Sequence, residues 1–195
     1  MFAGILAFIE QLLSDVVTIC EEVGRCRFRG HRAILEGDSV ADDTIAEDDG
    51  DIAEIAPYCE LTGTLTIVNT VGLVSIELPL LQHIGEDLFV EKNEDLVSLS
   101  LPAITEVGGE MGLTLNEGME SLELPALQEV GSHLEINDLK ALSALSLPAL
   151  ERVGGTLKLM VLYSLKSLSL PVLEEVGQSL WISSIYSLLE FDLSG

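Results

Sequence analysis

The chain has 195 residues, 48% of them hydrophobic, with 9 Lys and Arg against 33 Asp and Glu and a formal net charge of -24. That is enough apolar side chain for a sizeable core, and Leu, Val and Ile are too regularly placed for the charge to signal disorder. The charge excludes nucleic acid and anionic membrane surfaces as partners, because binding to phosphate needs clustered Lys and Arg.

In chain order, the first element is a predicted helix over residues 3–20, where Ile5, Ile9, Leu12, Leu13, Val16, Ile19 and Cys20 recur at helical spacing. Its expected role is to cap the open apolar end of the repeat region on its C-terminal side. A membrane-surface helix is the alternative reading, and it lacks the Lys and Arg face that such helices use. The apolar residues 2–9 have no basic start before them, so a secretory signal is not evident. No stretch reaches the roughly 18 apolar residues that cross a bilayer, so no membrane insertion is expected.

Arg25, Arg27, Arg29 and Arg32 alternate around Cys26 and Phe28 and predict a basic edge strand with its arginines outward. The run from Glu36 to Glu54 holds nine acidic residues in nineteen and predicts a solvated acidic loop, with the basic strand as its intramolecular partner. Calcium is a weaker reading of that run, because Asp42, Asp43, Glu47, Asp48, Asp49 and Asp51 lack the spacing of a calcium loop. The cysteines, Cys20, Cys26 and Cys59, are odd in number. One bridge with a free thiol and three reduced thiols are both open. Cys20-x5-Cys26 with His31 alone nearby is a poor ligand set, so no metal and no cofactor are expected.

From residue 51 the chain repeats. Pro79, Pro102, Pro125, Pro148 and Pro171 stand 23 residues apart, and Pro57 precedes them by 22. Six residues behind each proline comes a glycine: Gly63, Gly85, Gly108, Gly131, Gly154 and Gly177. The unit reads L-x-x-L-x-L-P-x-L-x-x-V-G-x-x-L-x-I, and its apolar positions run down the chain in columns. One column is Leu73, Leu96, Met119, Leu142, Leu165 and Leu188; another is Leu65, Leu88, Met111, Leu134, Leu157 and Leu180. The two-residue alternation in L-x-L and L-x-I marks half-buried strands, and a proline in every unit opposes helix. The proline belongs where no ladder N–H is needed. The glycine belongs at the next corner, for positive φ or for close backbone approach. One coil alone cannot offset the entropy of ordering its own backbone, so coils must stack and share their apolar layers.

The segment from Ile55 to Ile67, IAPYCELTGTLTI, resembles the opening of a receptor L domain, in which a cysteine precedes a G-x-L-x-I strand. The L-x-S-L-x-L-P-x-L-x-x-V-G units after it resemble the coils of that family, the leucine-rich β-helix domains of the insulin and epidermal growth factor receptors, with relatives in fungal walls and bacterial surface proteins. The resemblance covers about residues 50–195. It implies a mainly β fold, a right-handed parallel β-helix of about six coils of 22–23 residues. It also implies extracellular or cell-surface placement and recognition of a ligand or partner. The sequence holds no cysteine-rich module of the kind that flanks receptor L domains, so receptor signalling is not implied. The division expected is therefore residues 1–50 as capping helix, basic strand and acidic loop, and residues 51–195 as the solenoid.

No catalytic group is expected. His31, His83 and His133 are scattered, and Gly37-Asp38-Ser39 lacks the strand–turn–helix context of a nucleophile turn. Converging acids in one cleft would be the sign that revives an enzyme. The outward positions of the G-x-L-x-I strand are Thr66, Phe89, Gly112, Glu135, Lys158 and Trp181, beside Val68, Glu91, Thr114, Asn137, Met160 and Ser183. These columns are irregular where the core is regular, which fits recognition of one particular partner, or a surface free to drift, and not a match to a periodic lattice. Phe89, Glu91, Glu135, Asn137, Lys158 and Trp181 are the candidate binding residues, for a protein or glycan, with the aromatics as exposed anchors. The alternative is self-assembly through an open last coil, through Tyr163, Ile185, Tyr186, Leu188 and Phe191 as a homo-oligomer contact.

Overall fold

The computed structural model describes residues 44–46 and 49–194, and they form a parallel β-solenoid. One sheet contains the G-x-L-x-I strands: β1 (Thr44–Ala46), β3 (Leu65–Val68), β6 (Leu88–Glu91), β9 (Met111–Thr114), β12 (Leu134–Asn137), β15 (Leu157–Met160) and β18 (Leu180–Ser183). The second holds the pair before each glycine: β2 (Glu60–Leu61), β5 (His83–Ile84), β8 (Glu106–Val107), β11 (Glu129–Val130), β14 (Arg152–Val153) and β17 (Glu175–Val176). The third face is split into β4 (Ser75–Glu77), β7 (Ser98–Ser100) and β10 (Ser121–Glu123), then β13 (Ala144–Ser146), β16 (Ser167–Ser169) and β19 (Glu190–Asp192). Residues 23 apart are partners in register, as in Leu134 beside Met111 and Leu157. At about 4.8 Å per coil, six coils rise roughly 25–30 Å.

The leucine columns line the inside as expected. From Leu65 to Leu170 these inward side chains are 1% exposed or less, apart from Leu122 at 8%, which stands where β10 and β13 fail to join. Each proline opens a tight turn. Leu81 N–H donates to Leu78 O (3.3 Å) across Pro79, and the same bond recurs from Ile104 to Leu101, Leu127 to Leu124 and Leu150 to Leu147. Proline thus holds the second position of a β-turn, where its fixed φ is pre-set and no N–H is required.

Of the two roles expected for the glycine column, close approach is the one observed. A Cβ on Gly131 would overlap the carbonyl oxygen of Gly108, and one on Gly154 that of Gly131, while neither has a positive φ. The left-handed corner falls elsewhere, on residues that are not glycine. Asn69, Lys92, Leu115, Asp138, Val161 and Ser184, one per coil at the end of the first-sheet strand, have φ of 54–57°.

The next column carries a feature the leucine pattern did not reveal. Thr70, Asn93 and Asn116 are buried among leucines and bond coil to coil. Asn93 Oδ1 accepts from Thr70 N (3.0 Å) and Thr70 Oγ1 (2.8 Å). Asn116 Oδ1 accepts from Asn93 N (2.9 Å) and Asn93 Nδ2 (3.2 Å). The amides also donate back to the strand below, Asn93 Nδ2 to Ile67 O (3.0 Å) and Asn116 Nδ2 to Val90 O (2.8 Å). Further along, the column turns apolar at Leu139 and Leu162, both fully buried.

At the N-terminal end the expected acidic loop is replaced, over its described part, by structure. Thr44–Ala46 pairs in parallel with β3, and α1 (Asp49–Ile55) comes next. The reason is apolar spacing: Ile52 and Ile55 lie one helical turn apart and are 7% and 3% exposed against the first coil. Asp51 in the first turn suits the positive end of the helix. The predicted capping helix, the basic strand, Cys20, Cys26 and His31 lie outside the described residues. Cys59 is buried and disulfide-bonded.

Candidate functional site

The first sheet offers the broadest outer face. From β3 onward each strand there is four residues long, and in β3, β6, β12 and β15 alternate side chains are buried, so the second and fourth residues face out. Parallel register stacks Thr66, Phe89, Gly112, Glu135, Lys158 and Trp181 into one outward column, with Val68, Glu91, Thr114, Asn137, Met160 and Ser183 beside it.

The six candidate binding residues separate into two groups. Glu135, Asn137, Lys158 and Trp181 are neighbours. Lys158 Nζ donates to Glu135 Oε2 (2.9 Å), and Asn137 Nδ2 donates to Glu135 Oε1 (3.3 Å). Asn137 Oδ1 is shielded from water and accepts no hydrogen bond from the described residues. Trp181 is the direct partner of Lys158 in the next strand and is 59% exposed. Phe89 and Glu91 lie on the other side of Gly112 and Thr114. Phe89 is not the exposed anchor the alternation predicts. It is half-buried, and a Cβ on Gly112 would come within 2.9 Å of its Cδ1, so the ring fills the space that the missing side chain leaves one coil up. Trp181 alone of the two aromatics is free to meet a partner.

A second surface has no counterpart among the expectations from sequence. Thr105, Glu106, Gln128, Glu129, Glu151, Arg152, Glu174 and Glu175 line a groove of about 360 Å³ on the outside of the second sheet. The signal for it is the residue before each valine of V-G, namely Glu106, Glu129, Arg152 and Glu175. Arg152 Nε sits 3.8 Å from Glu129 Oε1 and 3.6 Å from Glu175 Oε2, and His83 Nδ1 sits 3.5 Å from Glu106 Oε2. The two Arg152 ion pairs are about half exposed, and pairs of that kind contribute on the order of 0–1 kcal/mol each. Five glutamates at two adjacent repeat positions, Glu106, Glu129 and Glu175 beside Glu151 and Glu174, line the groove with Arg152, so its potential is negative.

Elsewhere, His133 Nδ1 accepts the Thr156 N–H (2.9 Å), which commits it to a corner between coils. Lys140 donates to Glu117 (2.6 Å), and that hydrogen bond, against a smaller opposing desolvation, holds its ammonium above the ordinary lysine range. Among the described residues no group of three or more His, Cys, Asp or Glu is placed to hold a metal ion, and no helix is long and apolar enough to cross a membrane.

At the last coil the inward columns surface. Leu180, Ile182 and Phe191 are 44%, 37% and 52% exposed, against 0–1% for Leu157, Leu159 and Leu168 one coil earlier. Of the candidate self-association residues, Tyr163 stacks on Tyr186 at 5.6 Å and both are exposed, whereas Ile185 and Leu188 pack half-buried against the core.

No family model matches the chain, and neither a curated protein nor a solved structure matches it. The likeness to receptor L domains therefore rests on the repeat itself, and function must be argued from these surfaces.

Proposed function

We propose that the solenoid is a non-catalytic recognition module that binds a protein or glycan partner at a cell surface through the outer face of its first sheet. The observation behind this reading is the contrast between a periodic core and one local cluster on that face. Lys158, Glu135 and Asn137 form a hydrogen-bonded polar group beside the exposed ring of Trp181. An aromatic beside hydrogen-bonded donors and acceptors is the composition of interface hot spots. A disulfide at Cys59 fits an oxidising compartment, as does the resemblance to receptor L domains. The net charge of -24 favours a partner surface that is basic or neutral.

The test is binding of the purified chain to intact cells and to a glycan array, with Trp181→Ala and Lys158→Ala beside the parent. Trp181→Ala should weaken binding at least tenfold and Lys158→Ala several-fold, with unchanged far-UV circular dichroism. Undiminished binding by both variants would place recognition on another face, and turnover of a bound partner would refute a non-catalytic role.

A further inference from the structure

The third face is interrupted in the middle of the stack. Its strands join as β4-β7-β10 and as β13-β16-β19, while the first and second sheets run on through every coil. The break lies between the third coil, which holds β9, β10 and β11, and the fourth, which holds β12, β13 and β14. At the junction before it, Glu120 and Ser121 donate to Val97 O (2.8 and 3.2 Å), and Leu101 donates to Glu123 O (3.0 Å). At the junction after it, Lys166 donates to Ser143 O (2.8 Å) and Leu147 to Ser169 O (3.0 Å). Among the described residues no counterpart of these bonds joins Ser143 to Glu120 or Leu124 to Ser146. Instead Ala141 donates to Glu117 O (3.2 Å), and Lys140 Nζ donates to Glu117 Oε1 (2.6 Å) at the same corner. The other two faces stay in register across the junction, β9 with β12 and β11 with β14.

The column that leads into the third face changes type at this same junction. Thr70, Asn93 and Asn116 precede β4, β7 and β10, whereas Leu139, Leu162 and Ile185 precede β13, β16 and β19. Where a polar residue meets an amide, the side chain of one coil accepts the backbone N–H of the coil before it. Asn93 Oδ1 does so from Thr70 and Asn116 Oδ1 from Asn93. Leu139 offers no such acceptor to the Asn116 N–H, so that corner loses its bond. Where leucine follows leucine, packing alone sets the corner, and β13 pairs with β16. Only the mixed junction leaves the third face unjoined.

We propose that the junction of the third and fourth coils is a one-sided hinge, opening on the third face while the first and second sheets bend without breaking. In a stack held together by contacts between neighbours, the junction with the fewest bonds is where cooperativity divides. The solenoid then moves as two blocks of three coils. The corner between the intact sheets, where the Gly131 and Gly154 backbones touch, supplies the axis. On the open side the half-exposed ion pair of Lys140 with Glu117 is a weak latch. Phe89 and Glu91 lie on one block, and Glu135, Asn137, Lys158 and Trp181 on the other. The hinge angle therefore sets how these two groups are presented together, although the hinge itself does not rest on their binding a partner.

Amide exchange and spin-label distances in the full chain test this. The Leu124 and Ser143 amides should exchange at least tenfold faster than Leu101 and Glu120, their equivalents one coil earlier. Spin labels on keto side chains, which leave the cysteines untouched, go at Glu77 and Ser169 on the third face and at Val68 and Met160 on the first. Each pair spans four coils, about 19 Å along the axis. The third-face distances should spread roughly twice as widely as the first-face distances. Moving the change of column type should move the break. Leu139→Asn should protect Leu124 and Ser143 and expose Leu147 and Lys166, whereas Asn116→Leu should protect the same two amides and expose Leu101 and Glu120. Equal spread on the two faces, or Leu124 and Ser143 as protected as their equivalents, overturns the hinge in the parent chain whether or not either variant folds. A break that stays in place in both variants overturns the column as its cause.

Discussion

Replacing Asn116 by leucine isolates the value of the buried polar column. Leucine is already the residue at the same position one coil on, Leu139, so the volume is one this core accommodates. The substitution removes three hydrogen bonds: two accepted by Asn116 Oδ1 from Asn93, and one donated by Asn116 Nδ2 to Val90 O. Asn93 Nδ2 keeps Ile67 O, but the Asn93 N–H is left facing a methyl group. An orphaned buried donor costs about 1–3 kcal/mol and each further lost bond about 1 kcal/mol. Burying leucine in place of an amide returns about 1–2 kcal/mol. The net loss is about 1–4 kcal/mol, which lowers Tm by roughly 2–16 °C in a domain of this size. Thermal unfolding followed by circular dichroism measures it. The double variant Asn93→Leu with Asn116→Leu should lose less than the sum of the singles, because the bond between the two amides is counted once. A Tm that stays or rises in Asn116→Leu, or strict additivity, would show that the column contributes no net stability.

Gly131→Ala should cost about 3–5 kcal/mol or prevent folding, because its Cβ would overlap the Gly108 carbonyl, whereas Gly63→Ala, with nothing within 4 Å, should leave Tm within about 2 °C. Equal effects in the two would mean that coil spacing is not set at this corner. Val161 is a β-branched residue at φ 55°, so Val161→Asn should stabilise by about 1 kcal/mol, read as the urea midpoint; a lower midpoint refutes strain there. Arg152→Glu removes the one cation among the groove glutamates and should lower Tm by a few degrees in dilute buffer, with the loss restored by 0.5 M NaCl. A loss insensitive to salt would assign Arg152 a packing role instead.

The fold was legible because each structural requirement recurs 22–23 residues on with one residue type answering it. Leucine fills the inside, proline opens the turn, and glycine stands where the backbones approach. The left-handed corner also recurs at this spacing, but Asn69, Lys92, Leu115, Asp138, Val161 and Ser184 share no chemistry, so the column has no signature. The amide ladder occupies only Thr70, Asn93 and Asn116 before leucine takes over, too short a run to stand out from the polar residues around it. Charge hid the head: an acidic run reads as solvated, yet two isoleucines a turn apart are enough to fold α1 onto the core. Phe89 departs from its expected exposure because alternation gives the direction of a side chain and not the size of its neighbour, although Gly112 stands 23 residues on. Only coil-to-coil register turns that interval into a contact. The acidic groove is present in the sequence as the column of residues before V-G, but that column mixes Glu with Arg152 and His83 and so lacks the uniformity of the valines beside it.

The face argued for binding extends onto the last described coil, and that sets part of its energetics. In a solenoid each coil is stabilised by the neighbours it touches, and the coil ending in β18 and β19 has a described neighbour on one side only. Its inward residues Leu180 and Ile182 keep 44% and 37% exposure, so it buries less apolar surface than any coil before it and opens most readily. Trp181 lies on that coil, while Lys158, Glu135 and Asn137 lie on coils covered on both sides. A partner engaging Trp181 must therefore hold β18 closed as well as fill the contact. Hydrogen exchange is the direct measurement. Amides of Leu180–Ser183 should exchange at least tenfold faster than those of Leu134–Asn137 in the free chain, and the gap should narrow when a partner is bound. Equal protection of the two strands in the free chain would show that binding at Trp181 carries no such ordering cost.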